Sequence, residues 1–175
     1  MPMMMLTPFY STDQIRARVT ELASDIENRI PSGEPLHLIA VLSGGFMLLA
    51  DLARLISRPV TIDFVRLSSY AGTTTSGTVH IVNDLATDIR DRHTLIVEDI
   101  VDTGLTLRVL RDHLLLKTPK SLQTVSLLDK PSRRLTDVPV EFVGFTIDDR
   151  FIVGYGLDLN EHHRQLPYLA VVEPH

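Results

Sequence analysis

Glu98 and Asp99 follow directly on the apolar run Leu95-Ile96-Val97, and the chain then reads Ile100-Val101-Asp102-Thr103-Gly104-Leu105-Thr106. Carboxylates accept hydrogen bonds from sugar hydroxyls and can hold a magnesium ion through oxygen. A threonine-glycine turn opening a helix offers free N–H groups and the positive end of the helix dipole, which favour a phosphate. Gly104 permits close backbone approach, and Thr103 and Thr106 add hydroxyl donors. Acids suited to a ribose and a turn suited to its 5′-phosphate thus sit within nine residues. On spacing alone, a buried strand, an acidic loop and an ordinary threonine-capped helix fit as well, because such loops are general. No Gly-x-Gly-x-x-Gly follows a strand-like run and the Walker pattern is missing, so a dinucleotide site is not indicated.

Such residues need a scaffold, and the apolar pattern supplies one. Ser11 and Gln14 stand at capping-box spacing, and Ile15, Val19, Leu22, Ile26 and Ile30 then recur at helical intervals up to Pro31-Ser32-Gly33. Short apolar runs at 36–42, 60–67, 94–98, 121–128 and 140–145 read as strands, with a brief one at 78–82. Helices are expected over 46–57 and 105–116. Strand, helix and strand in alternation imply an α/β fold with a mostly parallel sheet. Ligands collect at the carboxyl ends of such strands, which is where Glu98 and Asp99 fall. Residues 68–78 are small and polar almost throughout and have little to bury, so that segment is expected to move. The expectation is a single domain over 1–175, with a core at about 12–147 and a less regular appendage at about 148–175.

The chain has 175 residues, 44% of them apolar, enough for a full hydrophobic core and against disorder. A net charge of −5 argues against a nucleic-acid or anionic-membrane surface, so neither partner is expected. The absence of cysteine excludes disulfides, thiolate zinc sites and cysteine nucleophiles. No run approaches the roughly 20 apolar residues of a membrane helix, and the apolar start is too short for a signal segment. A soluble, cytoplasmic protein is expected.

Val97-Glu98-Asp99-Ile100-Val101-Asp102-Thr103-Gly104-Leu105-Thr106 resembles the phosphoribosyl-pyrophosphate motif of type I phosphoribosyltransferases. Further segments match the hypoxanthine-guanine branch in order: Leu42-Ser43-Gly44-Gly45, Ser68-Ser69-Tyr70, Leu128-Asp129-Lys130, and 151–158, Phe-Ile-Val-Gly-Tyr-Gly-Leu-Asp. The resemblance spans roughly 36–172 and implies a mostly parallel twisted sheet flanked by helices, with a small hood.

The resemblance also implies a reaction and roles. A purine attacks C1 of the ribose as pyrophosphate leaves, through a transition state with oxocarbenium character. Glu98 and Asp99 face the ribose hydroxyls and their magnesium, and Asp102, Thr103, Gly104, Leu105 and Thr106 cradle the 5′-phosphate. Asp102 stands at the position of the base that takes the proton from purine N7, although an aspartate ahead of a helix also reads as a cap. Lys130 donates to the 6-oxo group, Phe151 stacks on the purine, and the Ile152 backbone bonds its edge. Asp158 takes the position of a second magnesium site. Ser43, Gly44, Arg164, Ser69 and Tyr70 lie around the pyrophosphate, and 68–77 matches a loop that closes over the site.

Ser43 departs from the lysine many relatives carry, which leaves the backbone N–H groups of that turn as the expected donors. Ser132-Arg133-Arg134 reads as a solvated turn, and the adjacent pair His162-His163 lacks companions for a zinc site. The expected activity is transfer from phosphoribosyl pyrophosphate to hypoxanthine or guanine in purine salvage, by a homodimer or homotetramer. A xanthine-preferring transferase is an alternative, since xanthine differs at C2, which Lys130 does not read. A nucleotide-binding regulator on the same fold is another, disfavoured by the acidic charge.

Overall fold

Strand β2 (Leu36–Leu42) sends alternate side chains to opposite faces, and both faces are covered. Leu36, Leu38 and Ala40 join one hydrophobic cluster, while Ile39 and Val41 join another. A strand buried on both sides belongs in the middle of a parallel sheet, which explains the unbroken apolar run.

The computed structural model describes residues 5–70 and 78–173, with Ser69, Tyr70 and Thr78 as backbone only. The elements are β1 (Met5–Tyr10), α1 (Thr12–Arg29), β2, α2 (Phe46–Leu55), β3 (Val60–Tyr70), β4 (Thr78–Asn83) and β5 (His93–Val101). They continue with α3 (Leu105–Leu115), β6 (Ser121–Asp129), a 3-10 turn at Pro131–Arg133, β7 (Phe142–Thr146), β8 (Ile152–Val153) and β9 (Leu169–Glu173).

Six strands form the main sheet in the order β4-β3-β2-β5-β6-β7. β2, β3, β5, β6 and β7 run parallel, and β4 is an antiparallel edge. Helices α1 and α2 cover one face through Ile15, Val19, Leu22, Leu48 and Leu52. Helix α3 covers the other through Leu107, Leu110 and Leu114. The expected mostly parallel α/β sheet is what the chain forms. The capping box is present too: Gln14 N–H donates to Ser11 Oγ, and Ser11 N–H to Gln14 Oε1.

A second sheet of three strands, β1-β9-β8, forms the hood. Its outer strand β1 pairs antiparallel with β9, Met5 lying opposite Glu173. The sequence pattern gave no sign of β1, whose apolar and polar residues do not alternate and which contains Pro8. The ladder shifts register between Pro8 and Tyr10, as befits a residue without an N–H to donate.

Strand β5 also differs from expectation by running through the acids instead of ending at them. β6 offers Ser126, Leu128 and Asp129 opposite Glu98, Ile100 and Val101, so the ladder continues. The acids are therefore held on a paired strand and not on a free loop.

Candidate active site

The acids of β5 sit in the sheet's interior end. Glu98 is only 5% exposed, and among the described residues nothing donates a hydrogen bond to its carboxylate. Burial pushes its pKa well above the usual carboxylate range, and the neighbouring Asp99 charge adds to the shift. Asp99 is pushed up to about 6, chiefly by burial. Backbone N–H donors, including that of Ile100 at 2.8 Å, oppose the rise, as does the Arg164 charge, while Asp158 reinforces it.

Facing these acids is the turn between β2 and α2. Its Leu42–Ser43 peptide is cis. The α-carbon of Gly44 lies against the Asp99 carboxylate, and the Gly44 carbonyl oxygen in turn lies against Gly156 of the hood. Side chains at residues 44 and 156 would overlap these neighbours, so the glycines permit a three-layer contact of acid, turn and hood.

The third part is the turn into α3. Gly104 is the N-cap residue, with φ of 82°, in the left-handed region that glycine adopts freely. It has no side chain to cap the helix, and among the described residues the N–H groups of the first turn meet only a long bond, Leu105 N–H to Thr103 Oγ1 at 3.4 Å. The N-terminus thus stays open to an anion. Asp102 does not cap this helix. Its carboxylate accepts from Arg133 Nε at 3.2 Å, and its carbonyl accepts from Arg134 at 2.7 Å.

The hood contributes Asp158 and Arg164. The Arg164 guanidinium lies 3.0 Å from Asp158 Oδ1 and donates to the Gly156 carbonyl at 2.8 Å. Ser43, Gly44, Glu98, Asp99, Asp102, Thr103, Gly104, Thr106, Asp158 and Arg164 all line one cavity of about 350 Å³. Val41, Leu42, Leu67, Ile100, Val101 and Leu107 complete its wall, and of these Val41, Leu67 and Leu107 lie outside the motifs the sequence singled out. A β-strand that ends among acids does not reveal which apolar neighbours from other strands will close around it.

Leu105, Lys130, Phe151 and Ile152 lie outside that lining. Lys130 caps the end of β6, with its N–H donating to the Val101 carbonyl at 3.0 Å. Its side chain is buried, and its ammonium lies 3.5 Å from Asp149. Phe151 is 53% exposed, and Ile152 is buried in β8. Ser69 and Tyr70 end β3, but their side chains, and the loop at 71–77, lie outside the described residues.

Ser132 and Arg133 are exposed, as expected of a solvated turn, and Arg134 is the exception. Arg134 is largely buried against Asp129, and Arg133 bridges Asp102 and Asp149. The signal was there as two consecutive arginines just after a strand end, opposite an acidic loop. Its meaning depended on which acids the fold would bring near.

A larger and more apolar cavity, about 510 Å³, lies between α1, α2 and the hood. It holds none of the residues assigned above, and its wall mixes Ile15, Val19, Met47, Leu55 and Leu166 with Arg16, Asp51 and Arg54. Acids, glycine turns and a helix N-terminus converge instead in the smaller cavity. Among the described residues, no group of three or more histidine, cysteine, aspartate or glutamate side chains could hold a metal by itself. Magnesium does not need such a cage, because it binds through one or two carboxylates and completes its shell with water and substrate oxygen. The undonated Glu98 carboxylate beside Asp99 fits that mode. The rings of His162 and His163 lie 6.3 Å apart, edge to face. No helix among the described residues is long and apolar enough to cross a membrane.

Residues 9–160 match the family described as phosphoribosyl transferase domain. The hypoxanthine phosphoribosyltransferase of Salmonella typhimurium is 50% identical over 161 residues, covering 91% of this chain and 90% of the relative. The hypoxanthine-guanine phosphoribosyltransferase of Aquifex aeolicus is 46% identical, covering 92% of this chain and 91% of the relative. A crystal structure of a hypoxanthine-guanine phosphoribosyltransferase from Bacillus anthracis, with HEPES in its active site, superposes with a TM-score of 0.91 at 46% identity, covering 95% of this chain and 98% of that one. With this identity and fold shared along nearly its whole length, and with paired acids and a glycine turn in one cavity, the chain belongs to the phosphoribosyltransferase family, within its hypoxanthine and hypoxanthine-guanine branch.

Proposed function

We propose that the protein transfers the 5-phosphoribosyl group of phosphoribosyl pyrophosphate to hypoxanthine or guanine, yielding IMP or GMP and pyrophosphate in purine salvage. The observation that carries this reading is the single cavity lined by Glu98, Asp99, the Asp102–Gly104 turn and the Asp158–Arg164 pair, with Lys130 at the end of the adjoining strand.

In this reading Thr103, Gly104, Leu105 and Thr106 hold the 5′-phosphate at the open N-terminus of α3. Glu98 and Asp99 orient the ribose through its hydroxyls. Backbone groups of Ser43 and Gly44, with Arg164, Ser69 and Tyr70, receive the pyrophosphate. Asp158 and the β5 acids would hold magnesium, which when bound offsets the negative charge growing on the leaving group. The purine nitrogen forms a bond to C1 as the bond from C1 to the pyrophosphate oxygen breaks, and the proton on N7 passes to Asp102. Lys130 donates to the 6-oxo group, Phe151 stacks on the ring, and the Ile152 backbone reads its edge. Closure of the 68–77 loop would keep water from the activated sugar.

We further infer a cytoplasmic homodimer or homotetramer, in keeping with the family. Light scattering of the purified protein tests the assembly. The activity is tested by magnesium-dependent release of pyrophosphate with hypoxanthine, guanine, xanthine and adenine in turn. Release with hypoxanthine and guanine is expected. Xanthine as the best acceptor would move the assignment to its xanthine-specific rival, and no release with any purine would overturn it.

A further inference from the structure

The segment after Lys130 lies along the turn that carries Asp102, and the contacts run residue by residue. Leu135 N–H donates to the Thr103 carbonyl at 2.9 Å. Arg134 donates to the Asp102 carbonyl at 2.7 Å and pairs with Asp129. Arg133 Nε donates to Asp102 Oδ1 at 3.2 Å, and its other end lies 3.4 Å from Asp149. Asp149 also faces the Lys130 ammonium at 3.5 Å. Asp102, Arg133, Asp149 and Lys130 therefore form one chain of alternating charge.

We propose that Arg133 is the positioning residue for Asp102, fixing the direction in which its carboxylate accepts a proton. The inference rests on the transferase reading above. Arg134 fixes the main chain of Asp102 but leaves its side chain free to rotate. Among the described residues only Arg133 bonds that carboxylate. One oxygen is engaged and the other is left for the proton, as a base within hydrogen-bond reach requires. Arg133 is itself steadied by Asp149, so the residue that orients the base and the one that reads the 6-oxo group share an anchor. The Asp102, Arg133 and Asp149 side chains are 40%, 48% and 56% exposed. Exposed ion pairs contribute little to stability, so losing Arg133 should show in turnover and not in folding.

The test compares R133Q, R133K, D102N and the R133Q/D102N double variant for kcat, KM and melting temperature with hypoxanthine. Misaligning a reacting group costs up to about 100-fold, so R133Q should lose roughly 10- to 100-fold in kcat. Its KM for phosphoribosyl pyrophosphate and its melting temperature should stay at the wild-type values. R133K should recover part of the loss, because its ammonium can still meet the carboxylate. In the D102N background R133Q should cost nothing further, since residues acting through one another are not additive. Wild-type kcat in R133Q, or an equal loss in both backgrounds, would overturn the assignment. Should R133Q fail to fold, a folded R133K that loses more kcat than D102N would do the same, since a residue acting only through Asp102 cannot cost more than Asp102 itself. Wild-type protein without pyrophosphate release would instead overturn the transferase reading, and this assignment with it.

Discussion

The α-carbon of Gly44 lies against the carboxylate of Asp99, so that a methyl group at residue 44 would overlap Oδ2. On the other side of that turn, in the hood, a methyl at residue 156 would overlap the Gly44 carbonyl oxygen. The two collisions differ in what has to yield. At residue 44 a side chain can swing aside, whereas at residue 156 backbone must move, and φ there is already 100°. G44A should therefore fold while losing affinity for phosphoribosyl pyrophosphate, because Asp99 is displaced. G156A should lose stability as well. Overpacking costs about 1–3 kcal/mol, and each kcal/mol lowers the melting temperature by about 2–4 °C in a chain of this size. Calorimetric melting and substrate titration of the two variants separate these effects.

Asp102 is assigned as the proton acceptor on its position at the mouth of the phosphate turn. D102N keeps the shape and the backbone groups around Gly104 but cannot take a proton. Turnover should fall by roughly 10²–10⁴-fold, the usual contribution of general base catalysis. Binding of phosphoribosyl pyrophosphate, followed by titration calorimetry, should survive. Near-normal turnover would remove Asp102 from the role.

The pKa of Asp99 is raised from an ordinary 3.8 to about 6, and Glu98 is shifted in the same direction. Folding thus favours their protonated forms. The stability this lends is present in acid and is lost as pH rises from 3.8 through about 6. The free protein should accordingly lose stability at Asp99 across that window, and should bind magnesium and sugar phosphate with release of protons. Calorimetry of binding in buffers of different ionisation enthalpy reads the proton count directly. The part of that release owed to Asp99 should shrink above pH of about 6. Proton uptake on binding would contradict the assignment of these acids.

Lys130 is buried to 7% exposure and has Asp149 as its anionic partner at 3.5 Å. A 6-oxopurine offers the ammonium an acceptor, whereas adenine presents a donor. Leaving a buried donor without a partner costs about 1–3 kcal/mol, more for a charge. With tenfold per 1.4 kcal/mol, adenine should trail hypoxanthine by roughly 10-fold to more than 100-fold in kcat/KM. K130M should erase most of that difference by depressing hypoxanthine turnover.

Much of the site was legible because it is local. The run from Leu95 to Thr106 is one strand, one turn and one helix start, and each signal lies next to the feature it specifies. The capping box at Ser11 and the doubly buried β2 could be read for the same reason. What stayed hidden depends on distant partners. β1 is a strand because β9 lies beside it, more than 150 residues away in the chain. The partners of Arg133 stayed hidden because Asp102 and Asp149 approach it only after β5, β6 and the hood have assembled. Asp102 also read as a cap, a role that Gly104 occupies in the structure.

The pairing of β1 with β9 also bears on the order in which the chain becomes competent. Contacts between residues far apart in sequence carry the largest loop-closure entropy and tend to form late. The phosphate turn can fold with its own strand and helix, but Asp158 and Arg164 hang from the hood that this pairing secures. The part of the cavity that would receive the departing pyrophosphate is therefore completed after the part that would hold the ribose, and a chain arrested before the two ends meet would hold a sugar-phosphate cradle without its second wall.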